Sequence, residues 1–249
     1  MADVETTGRE AASIGAYDLP ERVRRYDADM DIMHPLRSKM IEIALEVLPF
    51  ASGKPLRALD LGVGTGVFSE KLLEAFPETT LVAIDGAEAM LELAAARLGD
   101  RSDRVTWVKA DFLALPDELT GRDSFDLVIS SYALHHLSAG EKLGVLRQVA
   151  AALAPGGWLV NADIVVGETE EAEARQQELR VAGVTRRAPD DDERFRSLEA
   201  TRATLDAAEH DQPQKLSTDL RILREAGIGD AEVFWKEYRE AVTGGARCV

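Results

Sequence analysis

Between Leu56 and Val165 short apolar runs alternate with amphipathic helical stretches, and that alternation leaves few architectures open. LRALDL (56–61), TLVAID (80–85), RVTWVKAD (104–111), FDLVISS (125–131) and WLVNADIV (158–165) read as strands. VFSEKLLEAF (67–76), AEAMLELAAARL (87–98) and AGEKLGVLRQVAAAL (139–153) read as helices, ended at Pro77, Gly99 and Pro155-Gly156-Gly157. Strands and helices alternating at these lengths predict an α/β fold, a parallel sheet with right-handed crossovers and helices on both faces. Near-continuous apolar strands fit burial on both sides.

The flanks differ from this core. ERVRRYDADMDIMHPLRSKMIEIALEVLPF has helical periodicity interrupted near His34-Pro35, with Met33, Leu36, Met40, Ile43, Ala44, Val47 and Leu48 on one stripe. Two helices are expected there, joined to the core by Ser-Gly-Lys-Pro at 52–55. From Gly167 to about Gln214 the chain is charged, helical in pattern and poor in apolar residues, which reads as a helical insertion. LSTDLRILREAGI returns to a core-facing helix, and AEVFWKEYRE and AVTGGARCV read as two closing strands. The expected division is 1–52 as an N-terminal helical cap and 53–249 as the main domain, with its insertion at about 167–214. Cap and insertion together are expected to form a lid.

Charge and cysteine usage narrow the partners. The formal net charge is −16, so an extended phosphate backbone is repelled and nucleic acid is disfavoured. The basic clusters, Arg22, Arg24, Arg25 and Arg186, Arg187, are short and flanked by acids. No apolar run approaches the roughly 18 residues of a membrane span, and MADVETTGREAASIGAYD lacks the apolar stretch of a secretory signal. A cytoplasmic protein with no membrane partner is expected. The single Cys248 removes intrachain disulfides and multi-cysteine metal sites. No metal site is expected.

The first strand runs into LDLGVGTGVFS, with glycines at 62, 64 and 66. Glycine permits positive φ and lets a ligand approach bare backbone at a helix start. The dinucleotide-binding turn places its third glycine one position later, where this chain has Val67. A carboxylate at Asp60 would repel a pyrophosphate and attract an ammonium, so the turn suits a zwitterionic ligand. Asp85 and Asp111 close the next two strands, with Gly86 and Phe112 following them. Open α/β sheets bind ligands at the carboxyl ends of their strands. Three acids in that register suit one elongated ligand carrying an ammonium, a ribose and an exocyclic amine.

At LDLGVGTG, AIDGAEAML, KADF, FDLVISSYALHHL and LAPGGWLV the sequence resembles the class I S-adenosylmethionine-dependent methyltransferases, over roughly residues 55–165. REAGIGDAEVFWKEY looks like that superfamily's last helix and strand. The resemblance implies a Rossmann-like seven-stranded sheet with the final strand antiparallel, and S-adenosyl-L-methionine as cofactor. It implies that Gly62, Gly64 and Gly66 line the methionine part. Asp85 with Gly86 would hold the ribose, Asp111 with Phe112 the adenine, and Ser130 and Ser131 would approach the methionyl group. The chain also looks like the carboxy-S-adenosylmethionine synthases of wobble-uridine tRNA modification. Those have a tyrosine in the N-terminal helices and an arginine before the C-terminal Ala-Gly. Met30 and Ile222 stand at those positions here, with Arg221 one residue away.

Transfer from a sulfonium needs alignment of donor and acceptor, and a base only where the acceptor must lose a proton. His135 is the expected base, with His136 as the second choice. His34 reads as a turn residue and His210 as solvated. Tyr17, Tyr26 and Tyr132 are candidates for shaping an acceptor pocket, and Asp163 for its acidic side. The expected function is methyl transfer by in-line displacement to a small-molecule acceptor. The rivals are carboxy-S-adenosylmethionine synthesis, a cofactor-binding protein without transfer activity, and an NAD-linked dehydrogenase. A homodimer is left open.

Overall fold

The computed structural model describes residues 20–119, 121, 123–208 and 211–248. Tyr17 and His210 lie outside them. Seven strands form one sheet: β1 (Arg57–Leu61), β2 (Thr80–Asp85), β3 (Val105–Lys109), β4 (Phe125–Ser131), β5 (Leu153–Ile164), β6 (Glu232–Glu237) and β7 (Glu240–Ala246). Their order is β3-β2-β1-β4-β5-β7-β6. β1 to β5 pair in parallel, and β7 runs antiparallel to both neighbours. The expected α/β sheet with one antiparallel strand is therefore present.

Alternation along the strands builds two cores. Ala58, Leu127, Ile129, Val160 and Ala162 face one side. They meet α2 (Arg37–Glu46), α3 (Val67–Ala75) and α4 (Glu88–Leu98) through Met40, Ala44, Leu72 and Ala94. Leu59, Leu61, Ile84, Val128 and Leu159 face the other side, against α5 (Ala139–Ala152) and α8 (Leu216–Ala226). Each large apolar side chain so buried contributes roughly 1.5–3 kcal/mol. Ser138 starts α5 with a capping box: its hydroxyl accepts from Glu141 N, and its own N donates to Glu141 Oε2 (2.8 Å). Lys142 and Asp219, both buried, pair at 2.8 Å between α5 and α8.

The remaining helices lie over the carboxyl ends of the strands. α1 (Pro20–Met33) ends at the His34-Pro35 break and contacts α4 and α6 (Glu170–Arg187). α6 and α7 (Leu198–Ala208) form a pair with a small core of its own: Val181, Val184, Phe195 and Leu205, joined by Ile32 and Met33. That core is wider-spaced than a compact apolar stripe, so the segment reads as more polar than it packs. β5 also differs from expectation. It begins at Leu153, which pairs with Phe125, and the ladder shifts register before Leu127 pairs with Trp158. Pro155-Gly156-Gly157 is thus an irregularity inside a strand, not a turn before one. Among the described residues no helix is long and apolar enough to cross a membrane.

Candidate functional site

The carboxyl ends of β1, β2 and β4 open into a cleft of about 950 Å³, open at its mouth. The β1–α3 turn forms one wall. Gly62 has φ +78°, and a Cβ there would sit 2.4 Å from the Ala133 Cβ, so only glycine lets this turn lie against the β4–α5 loop. Gly64 faces open space. Its N–H donates to Asp85 Oδ2 (2.9 Å), while Ala87 N–H donates to Asp85 Oδ1 (3.0 Å). Asp85 thus ties the ends of β1 and β2 together.

Of the expected residues, Asp60, Gly62, Gly64, Asp85, Gly86, Asp111, Phe112 and Ser131 line this cleft. Asp60 lies between Leu59 and Leu61 in β1, points opposite to both, and is buried beneath the turn. Burial pushes its carboxyl up to about 7; the Ser69 hydroxyl, donating at 2.5 Å, pulls it down, and the Asp85 charge raises it. A cation entering the cleft would meet a carboxylate with little hydration to lose. Asp111 accepts from Leu113 N–H at 2.9 Å, capping the short turn Phe112–Ala114.

Three expected residues lie elsewhere. Gly66 begins α3 and packs against Ala94 of α4, where a Cβ would stand 3.0 Å away. The Ser130 hydroxyl donates to Leu61 O (2.8 Å), joining β4 to β1. His135 is buried, with Nδ1 2.6 Å from Asp163 Oδ1 and Nε2 3.6 Å from Asp211 Oδ2. Burial opposes its charge, but the two carboxylates outweigh burial and raise its pKa, while that of Asp163 is lowered. His135 is thus held between two carboxylates and is not among the residues that line the cleft. Its neighbour His136 does line the cleft. Burial and the charge of His135 lower its pKa, against the pull of Asp211. The donor atoms of His135, His136 and Asp211 lie within 4.8 Å of one another.

Other groups at the cleft come from distant segments. Tyr26 of α1, Arg37 of α2 and Tyr132 after β4 line it. Asp27 bonds Arg37 (2.9 Å), Arg97 (2.5 Å) and the Thr65 hydroxyl (2.8 Å), fastening α1 over the glycine turn. Tyr132 has φ +48°, and its hydroxyl donates to Glu240 Oε1 (2.9 Å). That oxygen also meets His34 Nδ1 at 3.1 Å. No local periodicity announces these contacts, because the partners lie up to 206 positions apart. Met30 and Ile222, the positions weighed for an extra carboxylate, are buried apolar side chains outside the cleft.

Residues 58–157 match the family described as methyltransferase domain. An uncharacterized methyltransferase of Anoxybacillus flavithermus is 36% identical over 132 residues, 53% of this chain and 58% of that one. A demethylmenaquinone methyltransferase of Thermus thermophilus is 35% identical over 145 residues, 58% of this chain and 59% of that one. The chain thus spans a little over half the length of these relatives. The methyltransferase component of a Haloferax volcanii complex with the Trm112 methyltransferase activator superposes with a TM-score of 0.62 at 17% identity. That match covers 94% of this chain and 97% of the other, and speaks for the fold. Residues 58–157 thus carry a methyltransferase domain, set in a seven-stranded sheet whose fold is that of solved S-adenosylmethionine-dependent methyltransferases.

Proposed function

We propose that the chain transfers a methyl group from S-adenosyl-L-methionine to a small-molecule acceptor by direct in-line displacement. The observation that carries this reading is the placement of Asp60, Asp85 and Asp111 around one cleft, at the ends of three neighbouring strands, beside a bare glycine turn. When bound, the cofactor supplies an electrophilic methyl on a sulfonium. Asp60 neutralises its ammonium, Asp85 accepts from the ribose hydroxyls, and Asp111 accepts from the adenine amine over Phe112. Gly62 and Gly64 leave room for the methionine chain, and Ser131 and Tyr132 border it. Asp27, Arg37 and Arg97 hold α1 as a roof that excludes water. Positioning of this kind supplies up to ~7–11 kcal/mol of rate acceleration. The buried apolar residues at 30 and 222 offer nothing to a second carboxylate, which favours methyl transfer over carboxy-S-adenosylmethionine synthesis.

Calorimetry with S-adenosylhomocysteine tests the reading. Binding should be measurable, and Asp85→Ala should weaken it by about tenfold or more, or ~1.4 kcal/mol. Heat with NAD and none with S-adenosylhomocysteine would overturn it.

A further inference from the structure

A second cavity, of about 1040 Å³, lies between the α1–α2 break, α6, the end of β5 and the β6–β7 turn. Its wall carries Arg180, Arg186 and Arg187 of α6, Arg239 of the β6–β7 turn, and His34 and Glu240. Arg180 and Arg187 are seven residues apart, two helical turns, and so share a face of α6. The whole chain has 45 acidic and 29 basic side chains, yet here four arginines meet two lining acids, Glu237 and Glu240. Glu237 already bonds Lys39 (3.1 Å), and Glu173 stands 3.3 Å from Arg239. Arg187 is anchored by Nε on the Ile32 carbonyl oxygen (2.9 Å). Burial and the charge of Arg186 lower its pKa, while the Glu240 carboxylate raises it.

The cavity adjoins the cofactor cleft across one seam. Tyr132 lines the cleft, its hydroxyl bonds Glu240, and the rings of Tyr132 and His34 lie 4.7 Å apart. Burial first, then Glu240, raises the Tyr132 pKa well above its usual value, so the phenol keeps its proton and donates. Burial lowers the His34 pKa against the pull of Glu240, with Arg180 and His135 also lowering it, which favours the uncharged ring. A neutral ring that donates through Nδ1 to Glu240 keeps its lone pair on Nε2.

We propose that this second cavity is the methyl-acceptor site and takes a small organic anion, its carboxylate or phosphate gripped by the arginines and its hydroxyl or amine presented to His34. The inference rests on the methyl-transfer reading above. Guanidinium groups match carboxylate and phosphate oxygens in paired hydrogen bonds, which fixes orientation as well as affinity. The acceptor's proton passes to His34 Nε2 and leaves its electron pair on the oxygen or nitrogen. That pair forms the new bond to the methyl carbon, and the pair of the broken carbon–sulfur bond returns to sulfur, leaving a neutral thioether. Glu240 is a positioning residue that holds the His34 ring.

The test uses the full chain loaded with S-adenosylhomocysteine, with 15N-labelled histidine. Calorimetry compares 4-hydroxybenzoate, 4-hydroxyphenyl phosphate and the uncharged 4-hydroxybenzamide. At least one anion should bind, and the stronger of the two identifies the anionic group. The amide should bind about tenfold more weakly or not at all, and Arg180→Gln with Arg187→Gln should reduce anion affinity by a similar factor. The His34 Nε2 resonance should move as the anion binds and stay unmoved with the amide. Equal binding of acid and amide in the unaltered protein, no heat with either anion, or a silent His34 would overturn the proposal. Failure to bind S-adenosylhomocysteine in the first place would instead overturn the methyl-transfer reading.

Discussion

Asp60 couples the chemistry of a single residue to the stability of the fold. Its folded pKa of about 7 lies above the ordinary 3.8. Between those values the native state keeps a proton that the unfolded chain has released, so this group makes stability fall as pH rises from about 4 to 7 and leaves it level above. Asp60→Asn should remove that slope and raise the melting temperature at pH 8, because no charge is then buried. The same substitution should weaken S-adenosylhomocysteine binding by about tenfold, since the ammonium loses its counterion. Melting curves across pH and calorimetry in buffers of different ionisation heat check both outcomes. An unchanged slope, or equal affinity at pH 6 and 8 with no proton released on binding, contradicts the assignment. At this scale the sequence was legible where the site is contiguous. Asp60, Gly62, Gly64 and Asp85 could be placed because a strand end and a glycine turn leave few arrangements. Of two adjacent histidines it could not tell which faces the cleft, because a short turn, Leu134–His136, decides the rotation. His34 read as a turn residue because its partners Glu240 and Tyr132 are brought to it by the tertiary fold.

Helix α1 packs Met30, Ile32 and Met33 into the apolar cores and adds a small set of polar contacts at its underside. Asp27 bridges to Arg37, Arg97 and Thr65, and Arg194, beyond α6, bonds Asp29 twice, at 2.7 and 2.9 Å. Asp27 is partly exposed, so each of its ion pairs is worth about 1 kcal/mol or less and is weakened by salt. Asp27→Ala should lower global stability only slightly while speeding amide exchange across α1 and the glycine turn. Added salt should produce part of the same effect in the unaltered protein. If exchange in α1 matches that of the buried strands in both proteins, these contacts do not govern the helix. Strand and helix identities along residues 57–152 were legible from the apolar pattern, whereas the start of β5 was not. A proline followed by two glycines signals a stop, and only pairing with Phe125 carries the strand through it. The α6–α7 pair was legible as helices but not as a packed unit, because Ile32 and Met33, which complete its small core, come from α1.

The molecule as a whole is closed by β7, which lies between β5 and β6 with its central residues buried. Gly244 sits against β5 so closely that an added Cβ would meet the Leu159 carbonyl oxygen, a backbone atom with no rotamer to move. Gly244→Ala should therefore cost about 1–3 kcal/mol, read as a lower urea midpoint. An unchanged midpoint would mean that the two strands are not held at this distance. The alternation of elements made the parallel sheet legible. It did not reveal that the hairpin joining β6 to β7 would carry its tip, Arg239 and Glu240, over the strand ends and into the second cavity. That placement has a consequence for synthesis. The lining of the cofactor cleft is complete once Leu137 has been made, whereas the second cavity waits for Glu240. A chain terminated about a hundred residues early therefore carries every residue of the first lining and lacks both the second lining and the strand that joins β5 to β6.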